Sequence, residues 1–427
     1  MIILLVSQAC SEQSATIKPP EKNTLSNEEI DTFPDVTDHS FGDDGFVQSS
    51  FDGTPILIDS RDMSISDTGK IAVTGHYETI NSGGKHVAVM MTDSVGNKIG
   101  TFGQGGQAYL DFGVNTFGVS VEFQGEKLIV VSKQGPYIHV SRLDEQGSLD
   151  SSFRDVGHFR EDRVDRYNYI HATELKIDDN GSIYIGGYIS PGSGLILKYL
   201  PDGEPDTTFG ENGIVRLDHE KPLKGGYLSF LSDGRLLLGS LLSHNSSEFK
   251  AAITCFNSDG SVDSTFGDNG TTIVGYSEGD FGLYIRGMET DTLGRTVVVS
   301  SNNYEGLIAS RSVLFRLDSD GLVETEFGED GLLVIGAGNS LGLFEPAFDG
   351  DKILLGGYVR ENVFDTKMTL IRLLDSGELD TTFGYGGLGI FELGELNEGR
   401  DIGIYGGNYY VSGYTSSKTM IVGSARP

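Results

Sequence analysis

Tryptophan is absent from this 427-residue chain, cysteine occurs twice and proline only 11 times. Two cysteines, Cys10 and Cys255, make no disulfide framework, and no CxxC or Cys/His spacing suggests zinc. Cys255, in the run Ala251 to Phe256, reads as a small buried hydrophobe. Basic residues are scarce as well: 31 Lys and Arg stand against 62 Asp and Glu, a formal net charge of -31. Such a surface repels phosphate backbones, so nucleic acid is set aside as a partner, and it fits a soluble, exposed protein. The N-terminal apolar run Met1 to Cys10 is too short to span a bilayer. Helical periodicity sustained over ten or more residues is also missing.

What is there in excess is glycine, 60 residues, together with 23 Phe and 18 Tyr. The glycines have no strict third-residue period, so turn-rich β structure is the natural reading. They gather in copies of Asp206-Thr207-Thr208-Phe209-Gly210-Glu211-Asn212-Gly213, which recur at Asp38 to Gly45, Asp263 to Gly270, Glu324 to Gly331 and Asp380 to Gly387. Weaker copies surround Phe102 and Phe153. The seven phenylalanines lie at 41, 102, 153, 209, 266, 327 and 383, at intervals of 51 to 61 residues. A period of that size built from short strand-like runs points to propeller blades rather than helical solenoids.

The fourth unit shows the layout. Ile214 to Leu217 is a short strand and Gly226 to Phe230 a second. Ser232-Asp233-Gly234 then makes a tight turn needing positive φ at glycine, followed by strands over Arg235 to Gly239 and Ala251 to Phe256. Four strands in each of seven units give an all-β fold, a single seven-bladed β-propeller of four-stranded antiparallel blades. The repeated Phe is expected to wedge between blades, and the Asp three residues before it to bond backbone N–H groups of its turn. Calcium ligation by that Asp is disfavoured, because no unit matches the EF-hand pattern.

The ends are out of phase with the blades. The last unit stops after its third strand, Thr419 to Gly423, while the first opens on Phe46 to Ser50, a strand with no predecessors. Residues 46–50 are therefore expected to complete the seventh blade beside residues 419–424, closing the ring by the N-terminal strand.

On these residues the repeats resemble the bacterial delta-60 repeat, with its Asp-Gly hairpin, apolar strand ending in glycine, and closing Leu-Asp-x-x-Phe-Gly-x-x-Gly, matched by Leu149 to Gly157 and Leu379 to Gly387. The resemblance covers roughly residues 38–424. Ile99 replaces the aspartate in unit 2 and Arg154 replaces the glycine after Phe in unit 3, which predicts altered turns there. The resemblance implies a propeller on an exported or surface-associated bacterial protein and brings no reaction, so no catalytic residue is carried over.

Residues 1–10 also resemble the end of a lipoprotein signal, with Cys10 as the residue that would be lipidated. No basic segment precedes the apolar run, and Ser7 stands where that family has leucine. Residues 11–37, with Lys18-Pro19-Pro20-Glu21, read as a flexible polar linker, leaving 38–427 for the propeller. Localisation is then exported, in the cell envelope or outside the cell, as a monomer touching the membrane only through an N-terminal lipid.

Catalytic motifs are few. Gly275-Tyr276-Ser277-Glu278-Gly279 matches the nucleophile-elbow spacing, but no helix follows it. Gly336 to Gly342 misses the dinucleotide fingerprint by one residue, and the eight histidines show no paired metal spacing. Propeller geometry places any site at the mouth of the central channel, where register puts Arg61, Asp62, His171, Glu174, Arg286, Glu289, Glu345, Arg400 and Asp401. Arg61-Asp62-Met63 and Arg400-Asp401-Ile402 look equivalent in adjoining blades. The bland reading is that these charges pair with one another across a wet channel.

The leading functional expectation is a non-catalytic binding module taking a protein or glycan through loops at the channel mouth. Its alternatives are a hydrolase or lyase using a divalent cation on carboxylates such as Asp62, Glu174 and Asp401, and a structural scaffold on a lipid tether. No cofactor is expected, with Ca2+ the cation named should one bind.

Overall fold

The computed structural model describes residues 4–5, 15–17, 23–25, 35–49, 58–78, 84–113, 115–154, 156–164, 169–243, 249–276, 282–301, 311–337, 340–362, 365–391, 397–415 and 420–425. Among these there is no helix, and the strands form seven antiparallel blades. Blades I to VI span residues 58–110, 116–160, 170–218, 223–276, 284–337 and 340–390. Blade VII combines residues 397–425 with Phe46–Gln48. The first strand of each blade touches the first strand of the next, from blade I to blade VII and back to I, so the ring is closed around a central channel.

Closure follows the expected register. Phe46, Val47 and Gln48 pair antiparallel with Gly423, Val422 and Ile421. The alternation of a strand decides which side chain the joint buries. Val47, 5% exposed, sits with Phe41, Met63 and Val422, while Phe46 is half-buried against a cluster containing Phe391 and Tyr409. Val47 is thus the main anchor of the joint. Ser50 and Thr419, the outer limits of the expected joint, lie outside the described residues.

In blades I to VI the Phe-Gly turns connect the third and fourth strands, and in blade VII the turn at Phe41 leads into the fourth, Phe46–Gln48. All seven phenylalanines are buried, none above 3% exposed. In six of the seven units the residue after Phe donates its N–H to a carbonyl in the turn that follows the third strand of the next blade: Gly42 to Val95, Gly103 to Gln146, Arg154 to Asp202, Gly210 to Asp259, Gly267 to Asp320 and Gly328 to Ser376. Positive φ is needed for that bond, and Gly210 has φ 53°. Arg154 adopts the same conformation, φ 46°, and makes the same bond at 3.0 Å. The turn of unit 3 is therefore conserved in geometry despite its lost glycine, and the left-handed strain is carried by an arginine held over Phe159. Unit 2 likewise keeps its turn, Phe102 N–H bonding the Ile99 carbonyl at 2.8 Å.

Five of the seven turns are braced by an aspartate. Asp38, Asp150, Asp206, Asp263 and Asp380 accept the N–H two residues on. Four of them also take a cation: Arg142 on Asp150, Lys198 on Asp206, Arg235 on Asp263 and Arg372 on Asp380. Arg142 and Arg372 lie over the Phe of their own turns at 4.8 Å, and in unit 6 Arg316 pairs with Glu324 and covers Phe327 likewise. These aspartates brace turns, as the sequence suggests.

Within the stretch read as a linker, Ala15–Ile17 and Asn23–Leu25 lie parallel to the outermost strands of blades IV and V, as Leu4–Leu5 does on blade III. Asp35 bridges to Ile390 on blade VI. The N-terminal segment thus adds a fifth strand to three blades, leaving less of it as free linker than its composition implies. Cys10 and the Lys18 to Glu21 run lie outside the described residues. So do Ser277 to Gly279 of the elbow-like motif, whose first two residues end the strand Thr271–Tyr276.

Candidate functional site

Every inner strand carries one β-bulge at the same level of the channel. Pairing with the second strand slips between Ser60 and Asp62 in blade I, at Val119 in blade II, and between Ala172 and Glu174, Lys224 and Tyr227, Ile285 and Gly287, Leu343 and Pro346, and Gly399 and Asp401 in the rest. A bulge re-aims the extra side chain and leaves backbone groups unpaired. The extra residues are Arg61, Val119, Thr173, Gly225 with Gly226, Arg286, Phe344 with Glu345, and Arg400. Three expected arginines are therefore structural equivalents, brought to one level by the same distortion.

The residue after the bulge satisfies an N–H of the next blade. Asp401 Oδ2 accepts from Met63 at 2.7 Å, Asp62 Oδ2 from Val121 at 2.8 Å, Ser120 Oγ from Leu175 at 3.2 Å and Glu174 Oε2 from Leu228 at 2.6 Å. Asp62 and Asp401 are equivalents in neighbouring blades, as the repeated Arg-Asp triplet suggests. An arc from blade VII to blade IV is stitched in this way.

Below this level the carboxylates face one another. One oxygen each from Asp62, Glu345 and Asp401 lies within 4.8 Å of the others. Burial first, then Asp62 and Glu345, hold the Asp401 carboxyl well above its ordinary range. Glu174 is raised by burial and Glu345 against the pull of Lys176. Burial also pushes Glu122 up to about 8. Lys176 Nζ reaches Glu345 at 2.7 Å, Glu289 at 2.9 Å and Glu174 at 3.1 Å. Burial works against that ammonium, and the three carboxylates outweigh it and keep it charged.

This plate separates two cavities. The one on the far side, about 520 Å³, is lined by Ser64, Glu122, Lys176 and Glu289. The one at the mouth, about 620 Å³, holds Arg61, Arg286, Arg400 and Lys133 together with Phe117, Tyr227 and Phe344, above a floor of Asp62, Glu174, Glu345 and Asp401. Seven of the nine expected residues line the mouth cavity; Glu289 faces the far one, and His171 lines neither. His171 instead accepts from Lys133 Nζ at 2.9 Å and stacks on Tyr188 at 4.4 Å. Burial, with Lys133 and Lys224 nearby, lowers its pKa to about 4, so it stays neutral.

Cross-channel pairing is thus selective. Arg400 bonds Glu398 at 3.2 Å and lies over Phe344 and Tyr414. Arg286 bonds the Ser301 hydroxyl at 3.0 Å and no carboxylate among the described residues. Lys176, Glu122, Lys133, Phe117 and Phe344 were not reached by sequence reasoning. Residues i and i+2 share one face of a strand, so Glu174 pointing inward implies Lys176 and Ser120 implies Glu122. Phe117, Phe344 and Lys133 carry no such signal.

Fold and channel together define a β-propeller repeat protein. A family model described as a domain of unknown function (DUF5122) beta-propeller matches residues 179–209 and 231–266. Among curated proteins none matches the sequence. Solved structures similar in shape include the polysaccharide lyase Uly1, 9% identical over 89% of this chain and 98% of that one, with a TM-score of 0.46. The β-propeller domain of the Trilobed protease from Pyrococcus furiosus is 7% identical over 86% and 93%, TM-score 0.45. A PL25 ulvan lyase is 11% identical over 84% and 91%, TM-score 0.46.

Proposed function

We propose that this propeller is a non-catalytic binding module of an exported bacterial protein, taking a protein or glycan ligand at the mouth of its channel. The observation that carries this reading is the mouth cavity itself: about 620 Å³, the size of a ligand site, ringed by arginines and aromatic faces and closed beneath by the carboxylate and lysine plate. Side chains that would do chemistry are already engaged, since Asp62, Glu174 and Asp401 accept backbone N–H groups.

Glycan and protein arrays probed with the wild-type chain and with Arg61→Ala and Phe344→Ala test it. Ligands bound by the wild type and lost in both variants support the reading; ligands that bind all three equally place recognition elsewhere and overturn it.

The approach of Asp62, Glu345 and Asp401 within 4.8 Å favours a second reading, a cation-dependent hydrolase or lyase at the same mouth. It uses Glu345 in place of the expected Glu174. Incubating any array ligand with the protein and Ca2+ and analysing it by chromatography separates the two: cleavage products speak for the enzyme, an unchanged ligand for the module. A lipid on Cys10 would make the module a tethered one, and labelling with radioactive palmitate decides that point.

A further inference from the structure

We infer that the ligand of the channel mouth is an anionic saccharide, its charge carried by carboxylate or sulfate ester; this rests on the binding-module reading and narrows it.

The first ground is charge. In a chain of net charge -31, cations should be the easiest groups to pair with carboxylates. Two at the mouth are not so paired among the described residues. Arg286 has only the Ser301 hydroxyl, and Lys133 has only His171, a neutral acceptor. Burying an ammonium beside a neutral imidazole is costly unless another anion arrives. Burial accordingly lowers the pKa of Lys133. An incoming carboxylate or sulfate supplies that anion, and the planar guanidinium of Arg286 matches it with two parallel donors.

Shape is the second ground. Phe344 and Phe117 line the same cavity and are half-buried. Arg400 fixes one side of Phe344 at 5.1 Å, and Lys85 lies over Phe117 at 5.0 Å. Held rings of this kind offer flat apolar platforms whose negative faces attract the polarised C–H bonds of a sugar ring.

The floor supplies the third. Asp62 and Glu345 present acceptors at the base of the cavity. A sugar ring has hydroxyl donors for them while its anionic group faces the cations above. An acidic peptide of the same charge has backbone N–H donors but no rigid hydroxyl-bearing ring to lie on the aromatic faces while it donates to the floor. The mouth therefore discriminates a ligand that is anionic at one edge and hydroxyl-bearing at another.

Isothermal titration with four probes tests this: trigalacturonate, a sulfated carrageenan oligosaccharide, maltotriose and triglutamate. At least one charged sugar is expected to bind about tenfold tighter than maltotriose and triglutamate, and to weaken as salt is raised. Arg286→Ala and Lys133→Ala should each cost about tenfold, and Arg286→Lys less, with melting temperatures unchanged. Preference for trigalacturonate identifies carboxylate as the anion, and preference for the carrageenan oligosaccharide identifies sulfate. Maltotriose or triglutamate binding as tightly, with sensitivity to Phe344→Ala, overturns the anionic sugar while leaving the module reading intact. Charged-sugar binding insensitive to all four substitutions, or no binding by any probe, overturns the inference as well.

Discussion

Asp401 Oδ2 accepts the backbone N–H of Met63 at 2.7 Å, joining the last blade to the first across 338 residues of sequence. Its other oxygen accepts from Ile402 at 2.7 Å. Asp401→Ala should strand a buried N–H and cost about 1 to 3 kcal/mol. Asp401→Asn, which keeps an acceptor, should cost less. Urea melts at neutral pH check both, and an alanine variant as stable as the wild type would show that this bond does not hold the ring.

Closure itself depends on Val47. Its side chain fills a space among Phe41, Met63, Tyr410 and Val422 at the joint of blades VII and I. Val47→Asp buries a charge there without a partner and should lower stability by at least about 3 kcal/mol. Val47→Ala should cost about 1 to 2 kcal/mol. If Val47→Asp unfolds at the wild-type temperature, the N-terminal strand is not part of the cooperative unit.

Between blades, Phe266 packs closely on Gly321. A Cβ on Gly321 would come within 2.6 Å of the ring, at a backbone φ of +81° that already disfavours L residues. Gly321→Ala is expected to cost about 2 kcal/mol or more, and Gly234→Ala, with the same sign of φ but open space, distinctly less. Parallel thermal melts of the two variants check the difference, since equal losses would assign the cost to φ alone.

The architecture was legible because it is written in residue types that cannot be exchanged freely. A left-handed turn selects Gly, and a wedge between sheets selects Phe, so Phe41 to Phe383 mark the blades in any register. The level of the channel was harder to read. The bulges that aim Arg61, Arg286 and Arg400 inward are facts of pairing between strands, and no residue type announces them. Repetition of Arg-Asp in two blades revealed Asp62 and Asp401, whereas Lys133 reaches the mouth from a second strand and left no trace in the pattern.

Glu122 makes stability depend on pH in a direction opposite to the usual carboxylate. Its pKa in the fold is raised to about 8 from an ordinary 4.5, burial being the main cause. Below 4.5 both folded and unfolded chains hold the proton. Between 4.5 and 8 the unfolded chain ionises first, so the stability contributed by the neutral carboxyl is lost as pH rises through that window. His76, held neutral by burial with a pKa of about 4, acts oppositely and loses stability as pH falls from 6.5 towards 4. Comparison within a variant pair isolates the glutamate. Glu122→Gln keeps the acceptor for the Ser64 hydroxyl, and should be close to the wild type at pH 4.5 and exceed it by roughly 4 kcal/mol at pH 8. Melts that differ equally at both values would sink this assignment.

The carboxylate cluster gives opposite expectations for a cation and for Lys176. Asp401 uses both oxygens on backbone N–H groups, Asp62 Oδ2 takes Ser120 and Val121, and Glu345 takes Lys176. A divalent ion would have to displace the ammonium, whose single charge already sits between Glu174, Glu289 and Glu345. Wild-type protein is therefore expected to melt at the same temperature in millimolar Ca2+ and in chelator. Lys176→Met removes the internal cation and leaves the carboxylates facing one another. That variant should melt lower in chelator and recover several degrees in Ca2+, since oxygen ligands without a counterion suit a hard cation. A wild type stabilised by Ca2+ would instead mean that the cluster binds metal with the lysine in place, and would move the weight of the argument from the binding module to the cation-dependent enzyme.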